Sequence, residues 1–383
     1  MENRQKKIKI LFRLRSLEMG GVQKVILDFL ENLPQDKFDI TFLVNLRQGI
    51  LVNSVPGHIK FIWLAEGRET FSDNKFIHTL QLLLRGIKLK LYKRFPQLYY
   101  KKFDLYENEI EIASSYSELE DVLNSPNKKS KKIGWFHTDI RFVEKRLALK
   151  FIGLMKKFDV MIFGSKQTKN VIKEFYHIEF PNGKVIYNVI DGELINEKSK
   201  EFTVSRNQTL PQFISVARLQ KRKGFDMLAR VHKMILDEGL MHEILIIGDG
   251  NFRSDIQKII DELKIADSFK LLGTKSNPYP YINAADYFIL PSKTESYPLI
   301  IGETLCLGKP IISTDVGGIN EMIDHGKDGM LVQPTEEEIY RAMKKFLTDK
   351  NYVRDLQTHA RKSYLKFKKE DIYKEIENIL LAV

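Results

Sequence analysis

The segment TESYPLIIGE, residues 294–303, carries two glutamates, Glu295 and Glu303, eight positions apart around a proline and a run of branched aliphatics. Carboxylates inside an apolar stretch need a reason, because burying an unpaired charge is costly. Pro298 suits the first position of a helix, where its missing N–H is one of the unpaired donors anyway. The helix then runs from Pro298 to Leu307 and stops at Gly308, with Glu295 in the preceding loop and Glu303 on the second turn. The unpaired N–H groups of Leu299, Ile300 and Ile301, at the positive end of the helix dipole, make a seat for a diphosphate. A carboxylate on each side can accept two hydrogen bonds from vicinal hydroxyls, the grip that suits ribose and sugar rings. This spacing is common, however, and Glu303 alone reads equally as a helix cap or the partner of a surface lysine.

Other residues extend the same chemistry. Arg218 follows the buried strand FISVA, and Lys223 precedes Gly224 at a helix start. Either alone is an ordinary solvated charge, but as a pair at the C-terminal edge of a parallel sheet they point to phosphate. Gly20-Gly21 opens a helix after the first strand, either as a tight turn or to let backbone N–H groups approach a phosphate. His137 ends a strand, where a histidine can face a ligand or be structural. The triplet GDG at 248–250 does not complete Gly-x-Gly-x-x-Gly, since Arg253 stands where the last glycine belongs. Asp-x-Asp, the usual metal–diphosphate clamp, is absent from the sequence, so basic residues and a helix N-terminus would have to replace the metal.

Positioning these residues takes an alternation of short branched strands and amphipathic helices, the pattern of parallel sheets covered by helices. At 383 residues the chain exceeds one hydrophobic core, and with 43% hydrophobic residues each half can bury its own. Strands are expected at 7–14, 38–44 and 59–64 and near 110, 133, 160 and 186; a second series covers 213–219, 243–249, 268–273, 286–291 and 309–314. The second series has helices around 225–238, 252–264, 298–307 and 335–348. A polar stretch at 193–211 places the boundary near 190, giving domains 1–190 and 191–383. The last helix, 366–383, can pack on either. The lone cysteine, Cys306, excludes an internal disulfide framework and suits a reducing compartment.

The segment LQLLLRGIKLKLYKRFPQLYYKK, 80–102, holds seven Lys or Arg and no acid. Leu80, Leu83, Leu84, Ile87, Leu91 and Phe95 form a stripe at helical spacing. A basic amphipathic helix suits an anionic membrane surface; the plain alternative is an insertion packed on its own domain with a solvated basic rim. Leu82, Leu89 and Arg94 interrupt the pattern. No stretch reaches the length of a membrane span. The net charge of +11 fits phosphorylated small molecules or an anionic membrane, and no nucleic-acid motif accompanies it.

The order of motifs in the second half resembles family 4 retaining glycosyltransferases of the GT-B architecture. PSKTESYPLIIGETLCLGKPIISTDVGG looks like that family's E-x7-E, A-x-G-x-P-V-I and Gly-rich turn, preceded in order by VARLQKRKGFD, IIGDG and LLGTKSNPYPYINAADYFILPS. The match covers most of 213–324 and departs at Ala217 and Gly302, where glycine and alanine are commoner. GGVQKV, WFHTD, FGSKQTKN and YNVID match the first half more loosely.

The resemblance implies two Rossmann-like domains with parallel sheets facing across a cleft, the first binding acceptor and the second donor. It implies that Arg218 and Lys223 hold the donor diphosphate and stabilise the leaving group. Glu303 would bind the ribose, and Glu295 the transferred sugar, helped by backbone from Ser296 through Tyr297 and Pro298 to Leu299. Gly20 and Gly21 would approach the phosphates, and His137 would lie beside the donor sugar, with Arg218, Lys223, Glu295 and His137 as the catalytic set. Thr274 sits in the loop after Gly273 expected to face the base.

The activity implied is transfer of a sugar, with retention and without metal or cofactor, from a nucleotide-diphosphate sugar, UDP-sugar favoured, to a glycan or lipid-linked acceptor. Such an enzyme would act in cell-surface polysaccharide synthesis, in the cytoplasm or peripherally on the inner face of the membrane. The competing readings are a catalytically silent sugar-nucleotide or polyanion binder on the same fold and, more weakly, an oxidoreductase on paired Rossmann domains.

Overall fold

In the computed structural model, which describes residues 6–206, 209–367 and 369–383, the apolar run IKILFRL forms β1, Ile8–Leu14, buried over its last five residues. The remaining strands of its sheet are β2, Phe38–Arg47; β3, Lys60–Glu66; β4, Ile110–Ala113; β5, Lys131–Phe136; β6, Val160–Phe163; and β7, Gly183–Val185. Their order is β3-β2-β1-β4-β5-β6-β7, all parallel. The helices are α1, Gly21–Asn32; α2, Lys75–Arg94; α3, Gln97–Phe103; α4, Leu119–Leu123; α5, Lys145–Met155; and α6, Lys166–Tyr176. In α1, Val25, Ile26, Phe29 and Leu30 are buried at helical spacing. Strand order reverses between β1 and β4, which opens the crevice beyond their C-terminal ends where α/β sheets receive ligands.

The expected basic helix at 80–102 is two helices. Pro96 disfavours a helical residue before it, and Phe95 leaves the helical region at φ −129°, ψ 68°, ending α2 and separating it from α3. No described side chain of α2 is fully buried. The apolar stripe Leu80, Leu83, Leu84, Ile87, Leu91 and Phe95 is exposed throughout, while Leu89 and Tyr92 pack on the core cluster of Leu11, Leu43 and Leu64. Leu89, which spoils the pattern in sequence, is thus part of the edge that docks the helix.

A second unit, Ile190–Lys369, carries its own six-stranded sheet. Its strands are β8, Gln212–Val216; β9, Glu243–Ile247; β10, Phe269–Leu271; β11, Tyr287–Leu290; β12, Ile311–Thr314; and β13, Gly329–Val332. The order is β10-β9-β8-β11-β12-β13, again all parallel, with the reversal between β8 and β11. The helices α7, Gly192–Lys198; α8, Phe225–Asp237; α9, Arg253–Glu262; α10, Tyr279–Ala284; α11, Leu299–Cys306; α12, Glu336–Thr348; and α13, Lys350–Tyr364 cover it. Phe213, Ile244 and Phe269 from the strands meet Leu228, Val231 and Ile235 of α8 and Phe346 of α12 in one core. Strand β13 and helices α10 and α13 have no counterpart in the sequence reading, nor has α7, which forms at the start of the polar stretch expected to be the boundary.

The final helix, α14, Lys369–Ala382, makes up nearly all of Glu370–Val383, the segment that groups with the first unit, Met1–Val189. The Tyr373 hydroxyl donates to Asp28 Oδ2 at 2.6 Å and Lys37 Nζ to Glu377 Oε1 at 2.5 Å.

Candidate functional site

In the second unit, the loops that follow β8 and β11 leave the sheet on either side of its switch point. Lys223 ends a short 3-10 turn after β8, and Gly224 follows in the left-handed region at φ 72°. A Cβ on Gly224 would collide with the Pro291 carbonyl oxygen, so glycine here lets the β8 loop lie against the β11 loop. Gly317, at φ 62°, plays the same part on the other flank, where a Cβ would meet the carbonyl oxygen of Glu295. Its neighbour Gly318 donates its N–H to Ser296 O at 2.6 Å, fixing the loop that carries Glu295.

These approaches place Lys223 Nζ 2.5 Å from Glu295 Oε1, with both side chains buried. Ser292 Oγ donates to the same oxygen at 2.6 Å, and Thr314 Oγ1 donates to Ser292 O at 2.5 Å. Both bonds to Glu295 fall on Oε1, so Oε2 keeps its acceptor capacity, and an ammonium has three donors. Burial lowers the Lys223 pKa, an effect that the Glu295 carboxylate opposes. Arg218 lies two residues beyond β8 with an exposed side chain.

Helix α11 starts at Leu299 behind Pro298, as its sequence suggests. The expected trio of available N–H groups is reduced, because Ile301 N donates to Pro298 O at 3.1 Å in a tightened first turn. Leu299 and Ile300 are left to face an anion. The Tyr297 ring turns inward, edge-on to Phe367 with centroids 6.4 Å apart, so that at this position the backbone is what the loop offers.

Glu303 occupies the second turn of α11 and is 8% exposed. The Tyr279 hydroxyl hydrogen-bonds to it, and burial followed by the charge of Glu303 raises the Tyr279 pKa well above the phenolic range. Gly302, one residue before, faces Ile190, whose Cδ1 fills the space of a Cβ; the glycine in place of the commoner alanine is explained by that contact. Thr274 is exposed in the loop after β10.

In the first unit, Gly20 is the extended N-cap of α1 at φ −175°, and a Cβ on Gly21 would meet nothing within 4 Å. A side chain at Gly21 would therefore meet no steric obstacle, which leaves the open approach as a reason for that glycine. His137 follows β5, stacked on Trp135 with centroids 5.4 Å apart and planes 20° apart. Its Nε2 is buried with no hydrogen-bond partner, and burial pushes its pKa down to about 4, so the ring is neutral at neutral pH.

The structure therefore brings Lys223, Glu295, Ser296, Pro298 and Leu299 together at one sheet edge. Gly20, Gly21 and His137 stand at the C-terminal edge of the other sheet. Sequence reasoning missed Ser292 and Tyr279. Ser292 lies inside the quoted motif without a role, and Tyr279 gives no signal beyond being an aromatic after a proline. Among the described residues no three His, Cys, Asp or Glu side chains cluster as metal ligands, and no helix is long and apolar enough to cross a membrane.

Residues 196–363 match the family described as Glycosyl transferases group 1. The N-acetyl-alpha-D-glucosaminyl L-malate synthase of Bacillus anthracis is 24% identical over 345 residues, which is 80% of this chain and 90% of that one. The UDP-Gal:alpha-D-GlcNAc-diphosphoundecaprenol alpha-1,3-galactosyltransferase of Escherichia coli is 26% identical over 355 residues, 87% of this chain and 86% of its own. Among solved structures, Anabaena HepE in complex with UDP and glucose superposes with a TM-score of 0.79 at 18% identity, covering 98% of this chain and all of that one, 100%. At that identity the likeness speaks for the fold.

Proposed function

We propose that this chain, whose residues 196–363 match the glycosyl transferases group 1 family and whose fold is that of GT-B enzymes, is a glycosyltransferase that transfers a sugar, with retention and without a metal, from a UDP-sugar to a hydroxyl of a lipid-linked glycan. The observation that carries the reading is the Lys223–Glu295 pair beside the start of α11, at the switch point of the second sheet. An ammonium, a guanidinium and two backbone N–H groups there supply positive charge for a departing diphosphate. Preorganised charge of this kind is usually the largest single contribution to catalysis. Glu295 Oε2 is suited to a sugar hydroxyl and Glu303 to the ribose hydroxyls, with Arg218 and Thr274 completing the donor side.

The resemblance supports a role for Gly20, Gly21 and neutral His137 of the first unit in the same reaction. Retention rests on the family. Glu295 is engaged through Oε1 by Lys223 and Ser292, and Glu303 by Tyr279, and neither is an obvious nucleophile. This supports attack from the leaving-group face, with a phosphate oxygen of the donor taking the acceptor proton. The names of the relatives from Escherichia coli and Bacillus anthracis support cell-surface or small-molecule glycosylation with UDP-sugars or N-acetylhexosamines, without deciding between hexosyl and N-acetylhexosaminyl transfer.

The outward-facing apolar stripe of α2, on a helix rich in Lys and Arg, supports docking on an anionic membrane, where a lipid-linked acceptor resides. Incubating the purified protein with nucleotide sugars and a lipid-diphosphate sugar, followed by mass spectrometry, tests the assignment. Donor-dependent addition of a sugar mass is expected; binding of UDP without transfer or hydrolysis of any donor would make the chain a silent binder.

A further inference from the structure

Burying a lysine favours its neutral amine, because the ammonium loses its water. Lys223 is 9% exposed, and the loop after β8 places two further cations, Arg218 and Arg222, near it. Both guanidiniums push its pKa downward, in the same direction as burial. Lys293 and Asp226, from the loop after β11 and from α8, are ion-paired with each other at 3.7 Å. Among the described residues Glu295 is the one carboxylate in contact with the Lys223 ammonium, at 2.5 Å. A buried amine without that partner would shed its proton, and a neutral amine offers a diphosphate little of what an ammonium offers.

Glu295 is itself held from outside the pair. Ser292, fully buried, donates Oγ to the same Oε1 at 2.6 Å. Thr314, at the end of β12, donates Oγ1 to Ser292 O at 2.5 Å, and β12 is paired with β11. The oxygen that meets Lys223 is therefore braced by an uncharged hydroxyl on a loop pinned to the neighbouring strand. A brace of this kind keeps the carboxylate in place whichever way the ammonium turns.

We propose that Glu295, braced by Ser292, has a task at the donor site separate from any contact with the transferred sugar: it is the positioning residue that keeps Lys223 an ammonium, ready for the donor's diphosphate. The inference rests on the donor reading above and deepens it. A contact with the sugar would use Oε2, whereas this task uses Oε1, so one carboxylate can serve both. Once a diphosphate is bound, its own negative charge also favours the ammonium. Glu295 then matters most in the empty site, and its loss is felt as weaker capture.

The test uses UDP, which has the diphosphate but no transferred sugar. Its affinity for the full chain is measured by calorimetry from about pH 7 to about pH 9 in wild type, in Glu295→Gln, and in Glu295→Gln combined with Lys223→Arg, since arginine stays charged throughout that range. Affinity falls, by up to about tenfold per pH unit, once the lysine of the empty site loses its proton. In Glu295→Gln that fall should begin at least about one pH unit lower than in wild type, and in the double variant it should be absent. Urea melts give a reading that needs no nucleotide. A lysine that is neutral when folded takes up a proton on unfolding, so stability rises with pH above its folded-state pKa and up to its unfolded one. Glu295→Gln should therefore gain stability relative to wild type as pH rises across the same range, and the double variant should not. The melts also report whether each variant folds, and the comparison of wild type with Glu295→Gln decides the matter if the double variant does not. Coincident pH profiles of UDP affinity in wild type and Glu295→Gln, a fall that persists in a folded double variant, or melts without the relative gain would overturn the proposal. Wild type that binds no UDP at any pH, with the gain present in the melts, would uphold Glu295 as the group that keeps Lys223 charged and count against the donor reading instead.

Discussion

Lys223 and Glu295 neutralise each other where both are buried, so each is a structural as well as a chemical partner. Removing one side of a buried pair leaves an uncompensated charge, at a cost of roughly 3–5 kcal/mol. Lys223→Met is therefore expected to lower the unfolding free energy from urea melts by that order, and adding Glu295→Gln to recover much of the loss without restoring transfer. A double variant as unstable as the single one would contradict the pairing. Glu303 differs, because Glu303→Gln keeps shape and an acceptor for Tyr279. Its donor turnover should fall by about a hundredfold, the order of losing one or two charge-assisted contacts to the substrate, with an unchanged thermal midpoint.

The histidine pair of the second unit makes a separate residue-scale prediction. His242 Nδ1 lies 2.8 Å from Leu240 O, which can only accept, so that nitrogen carries the proton and Nε2 accepts from His232 Nδ1–H at 2.8 Å; His232 Nε2 then accepts from Ser268 Oγ at 2.8 Å. Both rings are neutral, and burial holds His232 down to about 3 and His242 below its ordinary value. The unfolded chain takes up protons below about pH 6.5 while the folded pair does not, so stability is lost as pH falls from that point. The slope should approach ~1.4 kcal/mol per pH unit for each histidine. Urea melts of the second unit's transition between pH 7 and 5 test this; a His232→Leu variant should show a smaller slope than wild type, and equal slopes would exclude the pair as the cause.

At the scale of elements, the sequence made most strands and their parallel arrangement legible, though not their order, because branched runs bounded by turns leave few alternatives. It exposed helix α11 and the carboxylates flanking its start for the same reason: Pro298 and Gly308 punctuate it. It did not reveal that Ile301 N–H is spent on Pro298, since the tightening of one turn depends on neighbouring loops. Nor did it reveal Tyr279, whose partner is distant in sequence, or β13, whose four residues carry little periodicity. In α2 the apolar stripe was legible but its direction was not; Leu89 and Tyr92, off the stripe, dock the helix and turn the stripe outward. Replacing Leu83, Leu84, Ile87 and Leu91 with serine should leave thermal stability within about 0.5 kcal/mol per site, as these side chains are exposed. The same variant should lose binding to phosphatidylglycerol vesicles in flotation assays, and retention of binding would remove α2 from the membrane account.

At the scale of the whole molecule, the chain holds two parallel-sheet units, and the group 1 family match, 196–363, falls wholly within the second. The residues proposed to hold the diphosphate and the sugar of the donor belong to that unit. A net charge of +11 adds a long-range attraction for nucleotide diphosphates and anionic lipids, which salt should weaken. The most direct measurement is sugar transfer from UDP-sugars to a lipid-diphosphate sugar, read by mass spectrometry for wild type and Glu303→Gln side by side. The account predicts a donor-dependent product and released UDP with wild type and about a hundredfold less with the variant. Absence of transfer and hydrolysis with every UDP-sugar, or equal turnover by the two proteins, would contradict it.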